Sequence, residues 1–323
     1  MKENLLSCAY GTFFMKNDAF LPGVLTLAFA LEQMGEPYGK VCLVTPEISA
    51  RARGALDLLY DAVIEVEQIR LRRMVTGGRQ DREQLMTRFQ ALRLGPDGDL
   101  PVRCHKLILL DADMLPLSGF GGLFSLPAPA GVLQEKKEYC LRLDPNGRPD
   151  RSTDTQGRWC WHERYDPICP HGAPIPCEIT NRVAHDVQNL GVNAALWRLD
   201  PSMEEYRRVL AALGDEKLLE LIRRFPWPEM QLATLLWSGR WHNVDARYCA
   251  IGGYPRLDVL KGVHYAGLKP WQINNKSILH YARYPDFKLW YQTYLAMLYT
   301  YPALLDYPAL KRLEQFILRH RLL

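Results

Sequence analysis

Residues 106–117 read KLILLDADMLPL, an apolar run followed at once by two aspartates. A run this apolar is typical of a strand buried on both faces at the centre of a parallel sheet. In open α/β sheets, ligands bind beyond the carboxyl ends of strands, which is where Asp111-Ala112-Asp113 falls. Two carboxylates separated by one small residue can hold one hard cation, such as Mg²⁺ or Mn²⁺. The segment therefore indicates a parallel sheet with a metal site, although two acids after a strand also occur in solvated loops.

On either side of this strand, short apolar runs alternate with stretches of helical spacing. Strands joined by crossover helices form a parallel sheet, so the expected fold class is α/β: a Rossmann-like, mostly parallel sheet flanked by helices. Ser202, with Glu205 three residues later, predicts a capping box at the start of a helix. The expected strands are 5–12, 40–45, 62–66, 106–110 and 191–199, and the expected helices are 21–34, 49–59, 85–94, 202–213 and 229–237.

The length of 323 residues suits one large domain, which we expect over residues 1–288, with a helical tail over 289–323. A net charge of +4 is too small to predict a nucleic-acid partner. The first residues are too polar for a signal peptide, and the sequence contains no apolar stretch of membrane-spanning length. These features predict a cytoplasmic protein.

The tail contains a basic amphipathic stretch. We expect its apolar residues to pack on the domain itself or on a partner subunit. Peripheral contact with a membrane is the alternative, and the sequence is compatible with a homodimer. The apolar positions are Leu310, Leu313, Phe316 and Ile317, and the basic ones are Lys311, Arg312, Arg319 and Arg321.

A segment from about residue 134 to 188 is rich in Pro, Gly, Cys and His and has no clear period. Loops of this length in compact domains are usually functional, and we expect this insert to shape an acceptor site. Its cysteines and histidines are zinc-ligand types, but they lack the paired C-x-x-C spacing, which favours free thiols. They are Cys140, Cys160, His162, Cys169, His171 and Cys177.

A second motif lies far along the chain, where residues 264–271 read HYAGLKPW. The imidazole of His264 is a possible third metal ligand. Gly267 lets backbone approach a phosphate, and Lys269 supplies a positive charge for it. Considered alone, the stretch is better explained as a loop with a core histidine and a lysine whose charge reaches solvent.

These motifs, with others between them, resemble glycosyltransferase family 8, the glycogenin and galactinol-synthase type, which has the GT-A fold. The resemblance runs from Leu5 to about Trp271 and identifies Asp111-Ala112-Asp113 as the family's DXD motif. It implies that Asp111, Asp113 and His264 hold the metal, with Gly267 and Lys269 at the diphosphate. HYAGLKPW is one residue shorter than the family's motif. SCAYGTFFMKNDAF resembles the first strand and turn, which places Tyr10, Gly11, Thr12 and Phe13 against base and ribose, with Phe20 nearby.

The remaining matches concern the sugar. Arg88, in LMTRFQAL, stands where the family has a lysine that contacts the donor, and arginine keeps that charge. In NAALW, Asn193 and Ala194 match the sugar-binding strand, and Ala195 replaces its glycine. In PEMQLATLLW, Glu229 takes the acidic position, while Met230 and Thr234 replace a glutamine and an asparagine. Gln231 offers an amide one position on.

The resemblance implies retaining transfer of a hexose from a UDP-sugar, with Mn²⁺ or Mg²⁺, to a glycan, protein or polyol acceptor. Glu229 would then stabilise positive charge on the sugar ring, with Gln231 and Asn193 beside it. One alternative is a catalytically impaired sugar-nucleotide scaffold of the same fold. Another is a nucleotidyltransferase, which should carry a glycine- and arginine-rich phosphate loop that CAYGTFFMKNDAF lacks.

Overall fold

The computed structural model describes residues 5–71, 80–134, 169–251 and 257–323. The insert's Cys140, Cys160 and His162 lie outside these residues. The strands are β1 (Leu5–Phe14), β2 (Gly39–Val44), β3 (Ala62–Glu65), β4 (Arg103–Leu110), β5 (Met114–Pro116), β6 (Ala130–Leu133), β7 (Val192–Leu199), β8 (His242–Asn243), β9 (Ala250–Ile251) and β10 (Gly262–His264). The helices are α1 (Leu21–Gln33), α2 (Ala50–Leu56), α3 (Cys177–His185), α4 (Met203–Ala212), α5 (Glu216–Ile222), α6 (Pro228–Leu236), α7 (Ile278–Tyr281), α8 (Pro285–Thr300) and α9 (Pro308–His320).

A seven-stranded sheet in the order β3-β2-β1-β4-β7-β6-β8 forms the centre of the fold. β1 pairs in parallel with β2 and β4, β2 pairs in parallel with β3, and β6 pairs in parallel with β8. Only β7 runs against its two neighbours, β4 and β6. The expected α/β class, with a mostly parallel sheet flanked by helices, is therefore confirmed.

Three details differ from the expected elements. The stretch expected to be an α-helix at 85–94 is a 3-10 segment, Gln80–Leu94, held by side-chain contacts such as Thr87 Oγ1 with the Ile69 backbone. The insert is not irregular throughout, because α3 starts at Cys177 inside it. The tail begins earlier than residue 289, because Pro at the first turn starts α8 at Pro285.

The capping box at α4 is half formed. Ser202 Oγ accepts a hydrogen bond of 3.2 Å from the backbone N–H of Glu205, as expected. The Glu205 carboxylate instead accepts from Trp237 Nε1 at 2.8 Å and pairs with Arg240. Tertiary partners have therefore replaced the local bond back to the cap.

Helices α8 and α9 cover the same face of the sheet as α1 and α2. On α9, Leu310, Leu313 and Ile317 are buried, and Tyr294 Oη of α8 donates to the Leu310 carbonyl at 2.8 Å. The tail therefore packs on its own domain, which was one of the two packing arrangements expected. Among the helices that the structure describes, none has the length and apolar character needed to span a bilayer.

At Gly23, helix α1 lies very close to the turn formed by Asp111–Asp113, the DXD turn. A Cβ added there would be 2.5 Å from the Ala112 carbonyl oxygen and 2.4 Å from Trp271 Cη2. We expect Gly23→Ala to lower the free energy of unfolding by about 1–3 kcal/mol, because overpacking outweighs the gain in helix propensity. Urea unfolding measures this.

Gly54→Ala is the matched control. Gly54 also lies in a helix, α2, but an added Cβ there meets only Tyr307 Oη, at 3.4 Å. This variant should be unchanged or more stable by up to about 1 kcal/mol. Equal stability of the two variants would show that α1 can move away from the turn without cost.

Candidate metal and donor site

Two sheets bring the predicted metal ligands together. β4 ends at Leu110, and the Asp111 N–H then donates to the Ala195 carbonyl of β7 at 2.9 Å. β5 follows Asp113 and pairs antiparallel with β10, so that Met114 faces His264. The Tyr265 N–H donates to the Asp113 carbonyl at 3.0 Å. The pairing of two very short strands thus places His264 beside the DXD turn.

The ligand atoms of Asp111, Asp113 and His264 lie within 4.8 Å of one another, and His264 Nε2 is 3.5 Å from Asp113 Oδ1. Ligand bonds of about 2.0–2.2 Å to a divalent cation put opposite ligand atoms about 4.3 Å apart, so a small inward shift suffices. Two carboxylates and an imidazole suit Mn²⁺, and Mg²⁺ also accepts the oxygens. The three residues therefore fit a divalent cation.

Each of the two aspartates forms an ion pair with a basic side chain. Arg88 Nη2 contacts Asp111 Oδ1, and Lys269 Nζ contacts Asp113 Oδ2. Burial alone raises the pKa of Asp113, but the adjacent His264 and Lys269 charges outweigh it and hold that pKa well below its usual range. Burial lowers the pKa of His264, yet the Asp113 charge prevails and raises it to about 10. The cluster is therefore a dense group of charges in which two carboxylates face three basic side chains.

Arg88 is buried and fixed on three sides. Besides Asp111, its Nη1 donates to the Ala194 carbonyl at 2.6 Å, and its guanidinium lies 5.4 Å from the centre of the Trp197 ring. Such stacking is favourable for a desolvated guanidinium. Arg88 thus joins β7 to the turn that contains Asp111.

The strand residues expected at the sugar are at the carboxyl edge of the sheet. Asn193 is buried, and its Oδ1 accepts from the Ala195 N–H at 2.8 Å. Its Nδ2 contacts Gln134 Oε1 at the end of β6. Ala194 and Ala195 are also buried. Gln134 was missed by the sequence analysis, since only the pairing of β6 with β7 reveals this neighbour.

Glu229 lies in the first turn of α6 and is 4% exposed. Within the described ranges, no hydrogen-bond partner reaches its Oε2. Burial raises its pKa to about 7, against the lowering effect of Arg88, while the nearby Asp111 charge raises it further. A buried carboxylate with one free oxygen beside these charges is a candidate for contact with a ligand.

The side-chain amide of Gln231 is held by backbone groups at the start of its own helix and in the loop before β7. Its Oε1 accepts from the Trp227 N–H at 3.1 Å, and its Nε2 donates to the carbonyls of Val187 at 2.9 Å and Asn189 at 2.5 Å. The residue is fully buried, and both ends of its amide have backbone partners. These contacts do not bring Gln231 to the metal cluster and give no support to a catalytic role.

The β1 side chains expected at the base and ribose contact the core instead. Tyr10 packs on Tyr38 and Phe124, with its hydroxyl on Glu36. An added Cβ at Gly11 would be 2.9 Å from Leu107 Cδ1. Thr12 Oγ1 donates to the Leu110 carbonyl at 2.8 Å, and Phe13 is a core residue. Phe20 differs, since it is partly exposed and packs edge-on against Trp271.

Lys16 is a second residue at this edge, besides Gln134, that the sequence did not indicate. It follows β1 in a left-handed conformation, with φ of 77°. Its charge is among those that lower the pKa of Glu229, which places it near that carboxylate. The available signal was its position directly after a strand, at the edge where ligands bind.

The HYAGLKPW loop has one open side. Gly267 is exposed, and an added Cβ would meet none of the described residues within 4 Å, so their packing does not require a glycine here. Lys269 is buried, and its Nζ also contacts the Tyr265 carbonyl. The loop therefore leaves space at Gly267 next to a fixed positive charge.

The chain resembles several curated proteins, although no family model matches it. It is 23% identical over 286 residues to an uncharacterized mimivirus protein, R707 of Acanthamoeba polyphaga mimivirus, covering 88% of this chain and 83% of that one. Galactinol synthase 1 of Solanum lycopersicum is 22% identical over 286 residues, covering 84% and 76%. Glycogenin of Neurospora crassa is 34% identical over 112 residues, which is 34% of this chain but only 16% of that glycogenin.

Among solved structures, the galactosyltransferase LgtC, in complex with donor and acceptor sugar analogs, has a TM-score of 0.53 at 12% identity. The match covers 89% of this chain and 95% of LgtC, and it shows a shared fold. The chain has the GT-A fold of these glycosyltransferases and is similar to proteins of family 8. Its cluster of Asp111, Asp113 and His264 lies at the carboxyl edge of the central sheet of this fold.

Proposed function

We propose that this protein is a glycosyltransferase that moves a hexose from a UDP-sugar to an acceptor with retention of configuration, using Mn²⁺ or Mg²⁺. The observation that carries the proposal is the largely buried cluster of Asp111, Asp113 and His264, assembled from segments that are far apart in the sequence. A bound cation would neutralise the diphosphate and so stabilise it as a leaving group.

The other residues support a division of the site into two parts. Lys269 and the open backbone at Gly267 suit the diphosphate, since a lysine provides a point charge and glycine allows close approach. Arg88, Asn193 and Glu229 suit the sugar, because each is buried and lies at the carboxyl edge of the sheet or beside the DXD turn. In this proposal Glu229 stabilises positive charge that develops on the sugar ring.

The acceptor is proposed to be a glycan, a protein or a polyol. The activity in the name of galactinol synthase belongs to that relative, and here it only indicates that small polyols merit testing. A scaffold that binds the nucleotide sugar without transferring it is the second candidate, favoured by the backbone contacts that occupy Gln231.

The direct test is a donor screen that measures UDP release from a panel of UDP-sugars in the presence of Mn²⁺. We expect release from at least one hexose donor, a decrease of about a hundredfold or more on chelation with EDTA, and recovery when Mn²⁺ is added in excess. Binding of UDP without release from any donor would support the scaffold. Release that EDTA leaves unchanged would contradict the metal role.

A further inference from the structure

Helix α8 holds the loop that carries the metal ligand and the diphosphate lysine. At the start of the loop, Tyr265 Oη donates to the Asp286 carbonyl in the first turn of α8 at 2.6 Å. At its end, Tyr291 Oη donates to the Pro270 carbonyl at 3.1 Å. The loop is therefore anchored to one helix at both ends.

Aromatic packing reinforces both anchors. The Tyr265 ring meets Phe287 edge-on at 5.5 Å, and Trp271 lies 5.4 Å from Trp290. All four side chains are buried. Buried hydroxyl–carbonyl bonds and aromatic contacts of this kind restrict a loop to one arrangement, since breaking them leaves a buried polar group without a partner.

The residues between the anchors include the functional ones. His264 directly precedes Tyr265, and Lys269 directly precedes Pro270. Between them, Ala266 and Gly267 are exposed. The two anchors thus bear on the two side chains that contact Asp113, while the exposed centre of the loop stays accessible to a ligand.

We propose that α8 is a positioning element for the site: its contacts at Tyr265 and Tyr291 hold the loop so that His264 and Lys269 face Asp113. The inference rests on the proposed function, because it assigns this geometry to the binding of a divalent cation and a nucleoside diphosphate. Tyr291 is not itself one of the residues expected to contact the cation or the diphosphate, and it acts through the backbone of Pro270. Preorganisation of this kind lowers the cost of ordering the loop on binding.

Tyr291→Phe removes one hydroxyl from this arrangement, and Tyr294→Phe is its matched control. Both tyrosines are fully buried on α8, and each donates one hydrogen bond to a backbone carbonyl. The partner of Tyr294 is Leu310 on α9, away from the loop. The two variants therefore lose the same chemical group from the same helix and differ in whether the loop is released.

The test measures Mn²⁺ affinity by electron paramagnetic resonance of free Mn²⁺, UDP affinity by calorimetry, and thermal unfolding. Tyr291→Phe should weaken Mn²⁺ binding about three- to tenfold, as the loss of one buried hydrogen bond predicts, and should weaken UDP binding in the presence of Mn²⁺. Tyr294→Phe should stay within about twofold of the unmodified chain for both ligands. Both variants should unfold at similarly lowered temperatures.

Tyr265→Phe, at the other anchor, should shift both affinities in the same direction as Tyr291→Phe. Equal Mn²⁺ affinities for Tyr291→Phe and Tyr294→Phe would overturn the inference while leaving the metal site intact. If the unmodified chain itself bound no Mn²⁺, the metal part of the proposed function would fail together with the inference. These two failures are distinguishable because the unmodified chain is measured in the same experiment.

Discussion

Asp113→Asn is expected to lower the turnover of a UDP-sugar by about a thousandfold and to abolish measurable Mn²⁺ binding. Asparagine keeps the shape of the side chain but removes the charge that faces Lys269 and His264. The cluster then offers one carboxylate beside three basic groups, Arg88, His264 and Lys269, which repel a cation. Steady-state UDP release and Mn²⁺ titration measure the two effects.

The variant must be shown to be folded, because breaking a buried ion pair typically costs about 3–5 kcal/mol. The pKa of Asp113 is held below its usual range, so its stabilising effect is present above the unfolded pKa and is lost as the pH falls. The difference in unfolding temperature should therefore stay nearly constant from pH 7 down to the unfolded pKa of about 4 and shrink below it, so that it is larger at pH 7 than near pH 2.

Asp99→Asn is the control for charge removal. Asp99 forms an ion pair with Arg93, and its side chain is 56% exposed. Exposed pairs contribute little, so activity and Mn²⁺ binding should be unchanged. Asp113→Asn with more than a tenth of the original turnover would show that the cluster is not the metal site of the reaction.

The fold could be predicted from the sequence where elements are long enough to show a period. β1, α1, β2 and β4 are examples, and their bounds differ from the expected ones by a few residues. The small sheet of β5, β9 and β10 could not be predicted, because strands of two or three residues contain no detectable alternation. Yet this sheet places His264 beside Asp113.

The residues of the candidate site could likewise be predicted where a motif specifies them, but not where their role depends on packing. Asp111, Asp113 and His264 were predictable because motifs specify them, and the structure brings them together. Gln134 and Lys16 were not, since their roles depend on which strand ends are neighbours.

Burial also shows what residue type alone does not indicate, which is the direction of a side chain. The type of Tyr10 allowed a nucleotide contact, but its ring packs in the core, and Gln231 is similarly occupied by backbone groups. A sequence motif identifies residue types at a site, whereas the direction of each side chain depends on packing from distant segments.

Glu229→Gln is expected to lower turnover by about a hundredfold while the Kd for UDP changes little. Glutamine keeps the volume and removes the negative charge that would stabilise a positive sugar ring. Burial raises the pKa of Glu229 to about 7, so kcat/KM of the original chain should rise with pH, reach half of its maximum near pH 7 and level off above that pH. A bound cation would move this rise of kcat/KM to lower pH. The rise should be absent in the glutamine variant.

Stability should change in the opposite direction to activity. Because the folded pKa of Glu229 is raised, the carboxyl contributes most to stability below its unfolded pKa, and that contribution is lost as the pH rises to about 7. The glutamine variant does not ionise, so above pH 7 it should be more stable than the original chain, by up to about 3 kcal/mol. Near pH 4 the two should unfold alike.

Glu204→Gln provides the control, since Glu204 is an exposed acid in the first turn of α4. Its activity and its dependence on pH should match those of the original chain. Full turnover by Glu229→Gln with unchanged UDP binding would exclude the proposed role at the sugar. A gain in stability without a loss of turnover would mean that Glu229 is a strained residue of the fold, whereas the two changes together would identify a carboxylate whose burial destabilises the protein in order to serve the reaction.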